Sequence, residues 1–322
     1  MTTTDDLSLA IADRVDSVLA LAASPGFEHD HTCFAARESG LYRSGDGGVS
    51  WHYLYDSLKL TGPLTTTAVA LSPEWQTDQR VFAGVDGGIL RSTDGGKEWV
   101  IMNVATPPPL VSTVVVSPNF AADGIVIAGT LEDGVFRSAD RGNSWQPWNF
   151  GLLDLCVLVL AISPDFIHDE MLFAGTETGL FRSTNGGRAW REVNFPAEHA
   201  PVVSLALSPA SDTEAVVFVG TEEAGLFCSR DGGDSWQQLG SDTIKDTVSA
   251  IVVSPQFALC PELLVLSSSA LLISQDSGES WSERQLDRDA ELEMSMLLTP
   301  QGIGPDAPLL IGCSDGSVLR VS

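Results

Sequence analysis

Short apolar runs, separated by clusters of glycine, proline, aspartate and asparagine, follow one another along the whole chain. One stretch near the middle shows the pattern: VLVLAISPDF, then HDEMLFAGTETG, then LFRSTNGG, then RAWREVNF. The apolar runs are rich in β-branched and aromatic residues, and no stretch with a helical 3.6-residue period lies between them. This pattern predicts four short antiparallel strands joined by tight turns, with no helix.

The last turn of this unit, a serine, an acidic or amide residue, glycines and a closing tryptophan, recurs along the chain. The closing tryptophans are 45 to 48 residues apart, and that near-constant spacing marks a structural repeat. A Ser-Pro or Thr-Pro pair after the first strand of each unit gives an independent count of seven. The repeat loops are Ser44–Trp51, Ser92–Trp99, Ser138–Trp145, Ser183–Trp190, Ser229–Trp236 and Ser274–Trp281.

Seven four-stranded units predict an all-β fold, a seven-bladed β-propeller that forms a single domain over residues 1–322. A β-solenoid is the alternative, although its coils usually have shorter periods. The chain ends where a seventh repeat loop would begin, so the last unit supplies three strands. We expect the alternating segment Leu7–Ile11, within a closing strand at 1–16, to complete that blade. The units lie near 17–63, 64–109, 110–155, 156–200, 201–246, 247–291 and 292–322.

The repeat loop has the chemistry of a tight hairpin, because an Asp or Asn side chain can bond to nearby amides while glycines adopt positive φ. The tryptophan that follows has a large face to bury, which we place between adjacent blades. One copy carries Asn185 in place of aspartate, which argues against calcium binding, since a metal loop would lose a charge. The recurring Arg43, Arg91, Arg137 and Arg182 are interpreted as packing on tryptophan or pairing with a carboxylate.

The composition is that of a folded protein, with 43% hydrophobic and 19% charged residues among 322. The formal net charge is -26, which repels phosphate backbones and anionic lipid surfaces, and Lys59, Lys97 and Lys245 are the only lysines. No apolar run approaches the length of about 18 residues that crosses a membrane. These features exclude nucleic acid as a partner and exclude membrane insertion.

The five cysteines are far apart and form no CxxC pair, so we expect free, buried thiols. The N-terminal sequence MTTTDDLSLAIADR lacks a basic segment followed by a long apolar run, and the expected location is therefore cytoplasmic. No metal site and no cofactor is predicted. The cysteines are Cys33, Cys156, Cys228, Cys260 and Cys313.

The pattern Ser-x-Asp-x-Gly-x-x-Trp, present six times, resembles the Asp-box or bacterial neuraminidase repeat, and the resemblance covers nearly the whole chain. The resemblance implies that each box is a structural hairpin between the third and fourth strands of a blade, away from the functional face. The family includes sialidases, xyloglucan-degrading enzymes and seven-bladed photosystem II assembly propellers. The last are nearest in architecture, but they carry an export signal and a basic patch that this sequence does not show.

The sialidase likeness is weak, because this chain has only three tyrosines and no Arg-Ile-Pro motif near its start. A xyloglucanase-like reaction would need two carboxylates facing each other across a cleft, which in those enzymes lies between two propellers. A pair among Glu132, Asp133, Glu177 and Glu222, one of them with a raised pKa, would support a glycoside hydrolase. A broad face without such a pair would support a scaffold.

The turns between second and third strands share one face of a propeller with the connections between blades. Six of these seven turns carry a carboxylate, which predicts an acidic rim around the central mouth: Glu38, Asp86, Glu132, Asp133, Glu177, Glu222, Glu223 and Asp315. The blade connections beside the rim vary most and carry aromatic residues and leucines, a combination suited to docking of a protein or peptide. They include 53–63, 102–109, 148–153 and 287–291.

The sequence therefore predicts a non-catalytic binding or assembly scaffold whose acidic rim holds a cationic or amphipathic protein or peptide. Two alternatives stay open. The rim carboxylates could serve only to cap turns and keep the surface solvated, or a carboxylate pair on the same face could hydrolyse a glycosidic bond.

Overall fold

A computed structural model describes residues 16–197, 199–209, 215–286, 292–304 and 307–321. Each apolar run of the sequence becomes a strand, and consecutive strands pair antiparallel to form seven small sheets. The first strand of every blade packs against the first strands of both neighbouring blades, and the last blade packs on the first, so the sheets form a ring. The predicted seven-bladed β-propeller is confirmed.

The strands are, blade by blade: β1 (Val18–Ala23), β2 (Cys33–Arg37), β3 (Gly40–Ser44), β4 (His52–Tyr53); β5 (Thr66–Leu71), β6 (Val81–Val85), β7 (Gly88–Ser92), β8 (Val100–Met102); β9 (Val111–Val116), β10 (Val126–Thr130), β11 (Val135–Ser138), β12 (Gln146–Pro147); β13 (Val157–Ile162), β14 (Leu172–Thr176), β15 (Leu180–Ser183), β16 (Arg191–Glu192); β17 (Val202–Leu207), β18 (Val217–Thr221), β19 (Leu226–Ser229), β20 (Gln237–Leu239); β21 (Val248–Val253), β22 (Leu263–Ser267), β23 (Leu271–Ser274), β24 (Ser282–Glu283); β25 (Met294–Leu298), β26 (Leu309–Cys313), β27 (Val318–Val321).

Four one-turn helices within the described residues correct the expectation that the chain has no helix. Each follows the first strand of its blade, begins with a buried aromatic residue and ends at an aspartate; a 3-10 turn at Asp56–Leu58 follows β4. A single turn is too short to show a helical period, which is why the pattern missed it. The helices are α1 (Phe27–Asp30), α2 (Trp75–Asp78), α3 (Phe120–Asp123) and α4 (Phe166–Asp169).

The aspartate that ends each of these helices fixes the turn between the first and second strands. The Ser24 hydroxyl donates to Asp30 Oδ2 at 2.7 Å, and the Thr32 amide donates to Asp30 Oδ1 at 2.9 Å. Ser72 and Asp78 repeat the hydroxyl contact at 2.9 Å in the second blade. The Ser-Pro pair and the aspartate six residues later therefore form one recurring turn motif.

Small residues in the second strands let neighbouring blades approach closely. A Cβ atom added at Gly175 would lie 2.5 Å from Val202 Cγ1, and one added at Gly129 would lie 2.6 Å from Val157 Cγ1. In each case the valine begins the next blade. In the sixth blade, Leu266 occupies the position that corresponds to Gly175. The next blade begins there with Met294, whose side chain is not branched at Cβ. Contact between blades therefore sets which residue each position accepts.

Hydroxyl groups also join the innermost strands across blade boundaries. Ser204 Oγ donates to the Val248 carbonyl at 2.6 Å, and Ser295 Oγ donates to the Val18 carbonyl at 2.7 Å. The second of these bonds links the last blade to the first. Because Ser17 Oγ also donates to the Ser314 carbonyl at 3.0 Å, the ring is closed by contacts of the innermost strands.

The last blade has three strands among the described residues, in the order β25-β26-β27. Within the described chain, the outer edge of β27 pairs with no further strand, whereas the third strand of every other blade pairs with a fourth. The segment Leu7–Ile11, which the sequence assigns to this edge, lies outside the described residues. Its role in closing the last blade stays a prediction.

The turns of each blade lie on two opposite faces, and backbone hydrogen bonds show which turns meet. The Gly47 amide in a repeat loop donates to the His31 carbonyl after α1 at 2.9 Å, so the repeat loops and the one-turn helices share a face. On the other face, the Glu177 amide in a second-to-third-strand turn donates to the Cys156 carbonyl in a blade connection at 3.2 Å. We call these the repeat-loop face and the rim face.

The repeat loops are hairpins, and in the first loop the aspartate accepts hydrogen bonds from backbone amides and from a serine hydroxyl of the same loop. Asp46 Oδ1 accepts from the Val49 and Ser50 amides at 3.0 and 2.9 Å, and Asp46 Oδ2 accepts from the Ser50 hydroxyl at 2.6 Å. The bond from Ser50 Oγ is the main reason that the pKa of Asp46 lies well below its usual value. The carboxylate is thus engaged in holding its own turn.

The residues around Asn185 explain why the fourth repeat loop carries asparagine in place of aspartate. Asn185 Oδ1 accepts from the Ala189 amide at 2.9 Å, as the aspartates do in their loops. Alanine stands where Ser50, Ser144, Ser235 and Ser280 donate a hydroxyl in other copies, so the second carboxylate oxygen would have no hydroxyl to bind. Asn185 and Ala189 therefore depart from the pattern together.

The tryptophans of the repeat pack between blades, and its arginines make the predicted contacts with a tryptophan or a carboxylate. Trp190 Nε1 donates to the Trp148 carbonyl of the preceding blade at 2.8 Å. Arg43 donates to the Gly95 carbonyl in the next repeat loop at 3.0 Å, while Arg137 stacks 4.2 Å over the Trp148 ring. Arg182 Nη1 lies 2.9 Å from Asp234 Oδ1, which is the predicted pairing with a carboxylate.

No disulfide joins the five cysteines, all of which lie in the described part of the chain, and three of them are buried: Cys33, Cys228 and Cys313. The prediction of buried thiols is wrong for Cys260, which is exposed, and Cys156 is half-buried. Cys260 lies in the long turn after β21, where the strand pattern does not apply, while Cys156 lies directly before β13 on the rim face.

Candidate functional site

The eight predicted rim residues are all exposed on the rim face. They lie in the turns between second and third strands, and these turns are short enough to leave the side chains pointing away from the sheet. Each turn contributes one or two carboxylates, except the turn after β22, which carries serines. The eight residues are Glu38, Asp86, Glu132, Asp133, Glu177, Glu222, Glu223 and Asp315.

Backbone contacts hold these turns in place independently of their side chains. In six blades, the amide at the start of the turn donates to the carbonyl of the residue just before the blade's first strand. The bonds are Asp86 to Thr65 at 3.4 Å, Leu131 to Leu110 at 3.1 Å, Glu177 to Cys156 at 3.2 Å, Glu222 to Pro201 at 3.0 Å, Ser268 to Thr247 at 3.1 Å and Ser314 to Glu293 at 2.9 Å. These backbone bonds fix the turns that carry all of the rim carboxylates except Glu38.

Asp315 differs from the other rim residues because it caps its own turn. The Ser317 hydroxyl donates to Asp315 Oδ1 at 2.6 Å, and the Ser317 amide donates to the same oxygen at 2.9 Å. The hydroxyl bond is the first cause of the lowered pKa of Asp315. Capping thus accounts for Asp315, but the described structure assigns no such bond to the carboxylates of Glu132, Glu177 or Glu222.

Two further carboxylates belong to this face and were missed by the sequence analysis. Asp16 Oδ1 accepts from the Ser39 amide at 2.8 Å, and Asp154 Oδ2 accepts from the Thr178 amide at 3.0 Å and the Thr178 hydroxyl at 2.7 Å. Asp154 lies in the connection before β13 and Asp16 lies just before β1, and each caps a second-to-third-strand turn. No local motif marks them, because each partner is more than twenty residues away in sequence.

Three of the acidic side chains act on one thiol at the junction of the third and fourth blades. The pKa of Cys156 is raised, first by burial and then by the negative charges of Glu177, Asp154 and Glu132. These carboxylates come from two turns and one connection. The Glu177 amide donates to the Cys156 carbonyl and the Gly134 amide donates to the Leu155 carbonyl, so both turns converge on the segment that carries this thiol.

This convergence predicts the titration of Cys156. With Cys260→Ser removing the exposed thiol, Glu177→Gln is expected to lower the pKa of Cys156 and to speed its alkylation at a fixed pH below that pKa, because less negative charge opposes the thiolate. The pH dependence of the alkylation rate measures the change. Glu98→Gln, an exposed carboxylate on the repeat-loop face, is the control and should leave the rate unchanged.

The blade connections divide into buried and exposed positions, which corrects part of the sequence analysis. Tyr55 is only 1% exposed and its hydroxyl contacts Thr66 Oγ1 at 3.0 Å, so this tyrosine belongs to the core. Trp148 is half-buried under Arg137. Phe150 and Leu153, in contrast, are 80% and 78% exposed. The connection at 287–291 lies outside the described residues.

Among the described residues, no group of three or more histidine, cysteine, aspartate or glutamate side chains is arranged to hold a metal ion. In the same part of the chain, no helix has both the length and the apolar character needed to cross a lipid bilayer.

No protein-family model and no curated protein sequence matches this chain. Solved structures do match over nearly its whole length. YCF48 bound to a D1 peptide superposes with a TM-score of 0.70 and 17% identity, covering 96% of this chain and 92% of that protein. YCF48 from Cyanidioschyzon merolae gives a TM-score of 0.67 at 13% identity, covering 96% of each chain.

A third neighbour is an ancestral GH74 enzyme, with a TM-score of 0.72 and 18% identity over 96% of this chain. This chain spans only 46% of that enzyme's length. At these identities the comparisons establish the fold, and the chain is a seven-bladed β-propeller. These neighbours include both a protein bound to a peptide and a GH74 enzyme, so function must be argued from the rim face itself.

Proposed function

We propose that this protein is a cytoplasmic, single-domain, non-catalytic scaffold of the Asp-box propeller type that binds a cationic protein or peptide on its rim face. The observation that carries the proposal is the set of exposed carboxylates on turns that are held by backbone hydrogen bonds. Rigid display of like charges lowers the ordering cost of binding and favours an oppositely charged partner.

The Asp-box assignment is supported by the repeat loops, in which the serine, the aspartate and the later amides form the same hydrogen bonds in copy after copy. YCF48 bound to a D1 peptide supports a protein or peptide partner, because the same fold there binds a peptide. The cationic character of the partner is inferred from the net charge of -26 and from the exposed rim carboxylates.

The glycoside hydrolase alternative has less support from the structure. A general acid in that reaction needs a raised pKa, whereas every carboxyl group whose pKa departs from its usual value in the described chain is shifted downward. The candidate pair residues Glu132, Asp133, Glu177 and Glu222 are exposed. The comparison with the GH74 enzyme rests on the fold alone.

Neutralising the rim tests the proposal directly. A variant with four Glu→Gln substitutions, at Glu38, Glu177, Glu222 and Glu223, is expected to bind a lysine-rich synthetic peptide roughly tenfold to thirtyfold more weakly, because each exposed charge contributes about 0.5 kcal/mol. Fluorescence anisotropy of the labelled peptide at two salt concentrations measures the affinity. The wild-type affinity should fall as salt rises.

The matched control carries the same four substitutions on the repeat-loop face, at exposed Glu28, Glu74, Glu98 and Glu279. This variant has the same net charge as the rim variant, so it separates a local site from the general effect of an acidic protein. Equal weakening by both variants, or binding that is indifferent to charge and salt, would contradict the proposal.

A further inference from the structure

The third blade departs from its neighbours on the rim face in a way that the acidic rim does not explain. Leu131 begins its second-to-third-strand turn, where the other blades carry Glu38, Asp86, Glu177, Glu222, Ser268 and Ser314. Leu110 precedes its first strand, where five of the other six blades carry Ser17, Thr65, Cys156, Thr247 and Glu293. Leucine therefore stands at two positions of this blade where most of the other blades carry a polar residue.

Two more leucines extend this departure across the boundary between the third and fourth blades. The connection that leads into the fourth blade carries Leu153, 78% exposed, and Leu155, 38% exposed; Leu110 is also 38% exposed, and Leu131 is half-buried. We call Leu110, Leu131, Leu153 and Leu155 the leucine strip. Exposed aliphatic groups that lie together on one face are typical of binding surfaces.

Backbone hydrogen bonds join the three segments that carry Leu110, Leu131 and Leu155. The Leu131 amide donates to the Leu110 carbonyl at 3.1 Å, and the Gly134 amide at the other end of the same turn donates to the Leu155 carbonyl at 3.0 Å. The second-to-third-strand turn of the third blade is therefore hydrogen-bonded at one end to the segment of Leu110 and at the other end to the segment of Leu155. Asp154, between Leu153 and Leu155, is bonded to Thr178 in the next turn.

Carboxylates are interleaved with the leucines of the strip. Glu132 and Asp133 follow Leu131 directly in the turn, and Glu177 precedes Thr178, to which Asp154 is bonded. No lysine or arginine interrupts residues 142–181, which contain both the connection and the turn of the fourth blade. The strip therefore offers apolar contacts and negative charge side by side, on a backbone that is already fixed.

We propose that the leucine strip, together with Glu132, Asp133 and Glu177, is the docking site for a protein segment in which aliphatic side chains are flanked by lysine or arginine. This inference rests on the proposed function and specifies where on the rim face the partner binds and what chemistry it carries. The aliphatic side chains contact the four leucines, and the basic side chains pair with the carboxylates. Hydrophobic anchors supply affinity while the surrounding charges set specificity.

The test compares three synthetic peptides of equal length: leucine with lysine, serine with lysine, and leucine with glutamate. The wild-type protein is expected to bind the leucine–lysine peptide about tenfold or more tightly than the serine–lysine peptide, and the leucine–glutamate peptide least tightly. Equal affinity for the leucine–lysine and serine–lysine peptides would overturn the inference, since it would leave no role for the leucine strip.

Two variants locate the binding site. Leu153→Ser is expected to weaken binding of the leucine–lysine peptide about fivefold, and Leu259→Ser, at a leucine that is 82% exposed on the repeat-loop face, should not change it. Both side chains are mostly exposed, so thermal unfolding should match the wild type and exclude misfolding as the cause. Unchanged binding by folded Leu153→Ser protein would count against the strip.

Thiol protection gives a second measurement that does not depend on any leucine variant. The bound leucine–lysine peptide is expected to slow alkylation of Cys156, which precedes β13 beside the strip, and not of exposed Cys260 on the other face. Lack of protection of Cys156 at saturating peptide would place the binding elsewhere. If the rim variant loses peptide binding while the strip variant and Cys156 protection show no effect, this inference fails and the proposed scaffold function stands.

Discussion

Replacing Gly175 with alanine is expected to destabilise the propeller by about 3 kcal/mol, although the substitution adds a single methyl group. The new Cβ would lie 2.5 Å from Val202 Cγ1, 2.7 Å from Val159 Cγ1 and 2.7 Å from the Val202 carbonyl oxygen. Two of these atoms belong to the first strand of the next blade, and one is backbone. The fourth and fifth blades would therefore have to move apart to remove these close contacts.

The matched control is Gly179→Ala in the turn of the same blade, where an added Cβ meets no atom within 4 Å. That variant should stay within about 0.5 kcal/mol of the wild type. Urea unfolding of both variants, followed by tryptophan fluorescence, gives the comparison. If the two alanine variants proved equally stable, close contact between second strands and the following blade would not be what limits these positions to small residues.

The same contact shows how far the sequence could predict the fold. Strand number, blade number and the two kinds of turn follow from patterns within one repeat, such as the Asp46 loop or the Ser-Pro pair. The sequence also shows a glycine at position 175, but it does not show why a larger residue is excluded there, because the contacting Val202 lies in another blade. Contacts between repeats depend on how tightly the ring closes, which no single repeat encodes.

For the candidate site, too, the sequence predicted the positions within each repeat but not the contacts between segments. The positions of Glu132, Glu177 and Glu222 in exposed turns follow from the strand pattern, and the structure places them there. Asp154 could not be assigned, because its partner Thr178 belongs to another turn of the chain. Nor could exposure within a connection be read from residue type, since Tyr55 is buried and Phe150 is not.

Disrupting Leu7 and Leu9 together is the second change with a large expected effect, because these side chains lie in the segment predicted to complete the last blade. In the third, fourth and fifth blades the fourth strand begins eleven residues before the next first strand, as Gln146 does before Val157. Counting eleven residues back from Val18 gives Leu7. The spacing thus agrees with the alternation that predicted this strand.

Leu7→Asn with Leu9→Asn is expected to lower the melting temperature by about 5 °C. If the predicted strand forms, it buries part of both leucines, and their loss costs about 3 kcal/mol in a chain of this size. An unpaired β27 edge also favours pairing between molecules, so the variant should associate more at high protein concentration. Calorimetry and analytical ultracentrifugation measure the two effects. Thr2→Asn with Thr3→Asn is the control, and equal behaviour of both variants would mean that the outer edge of β27 does not depend on this segment.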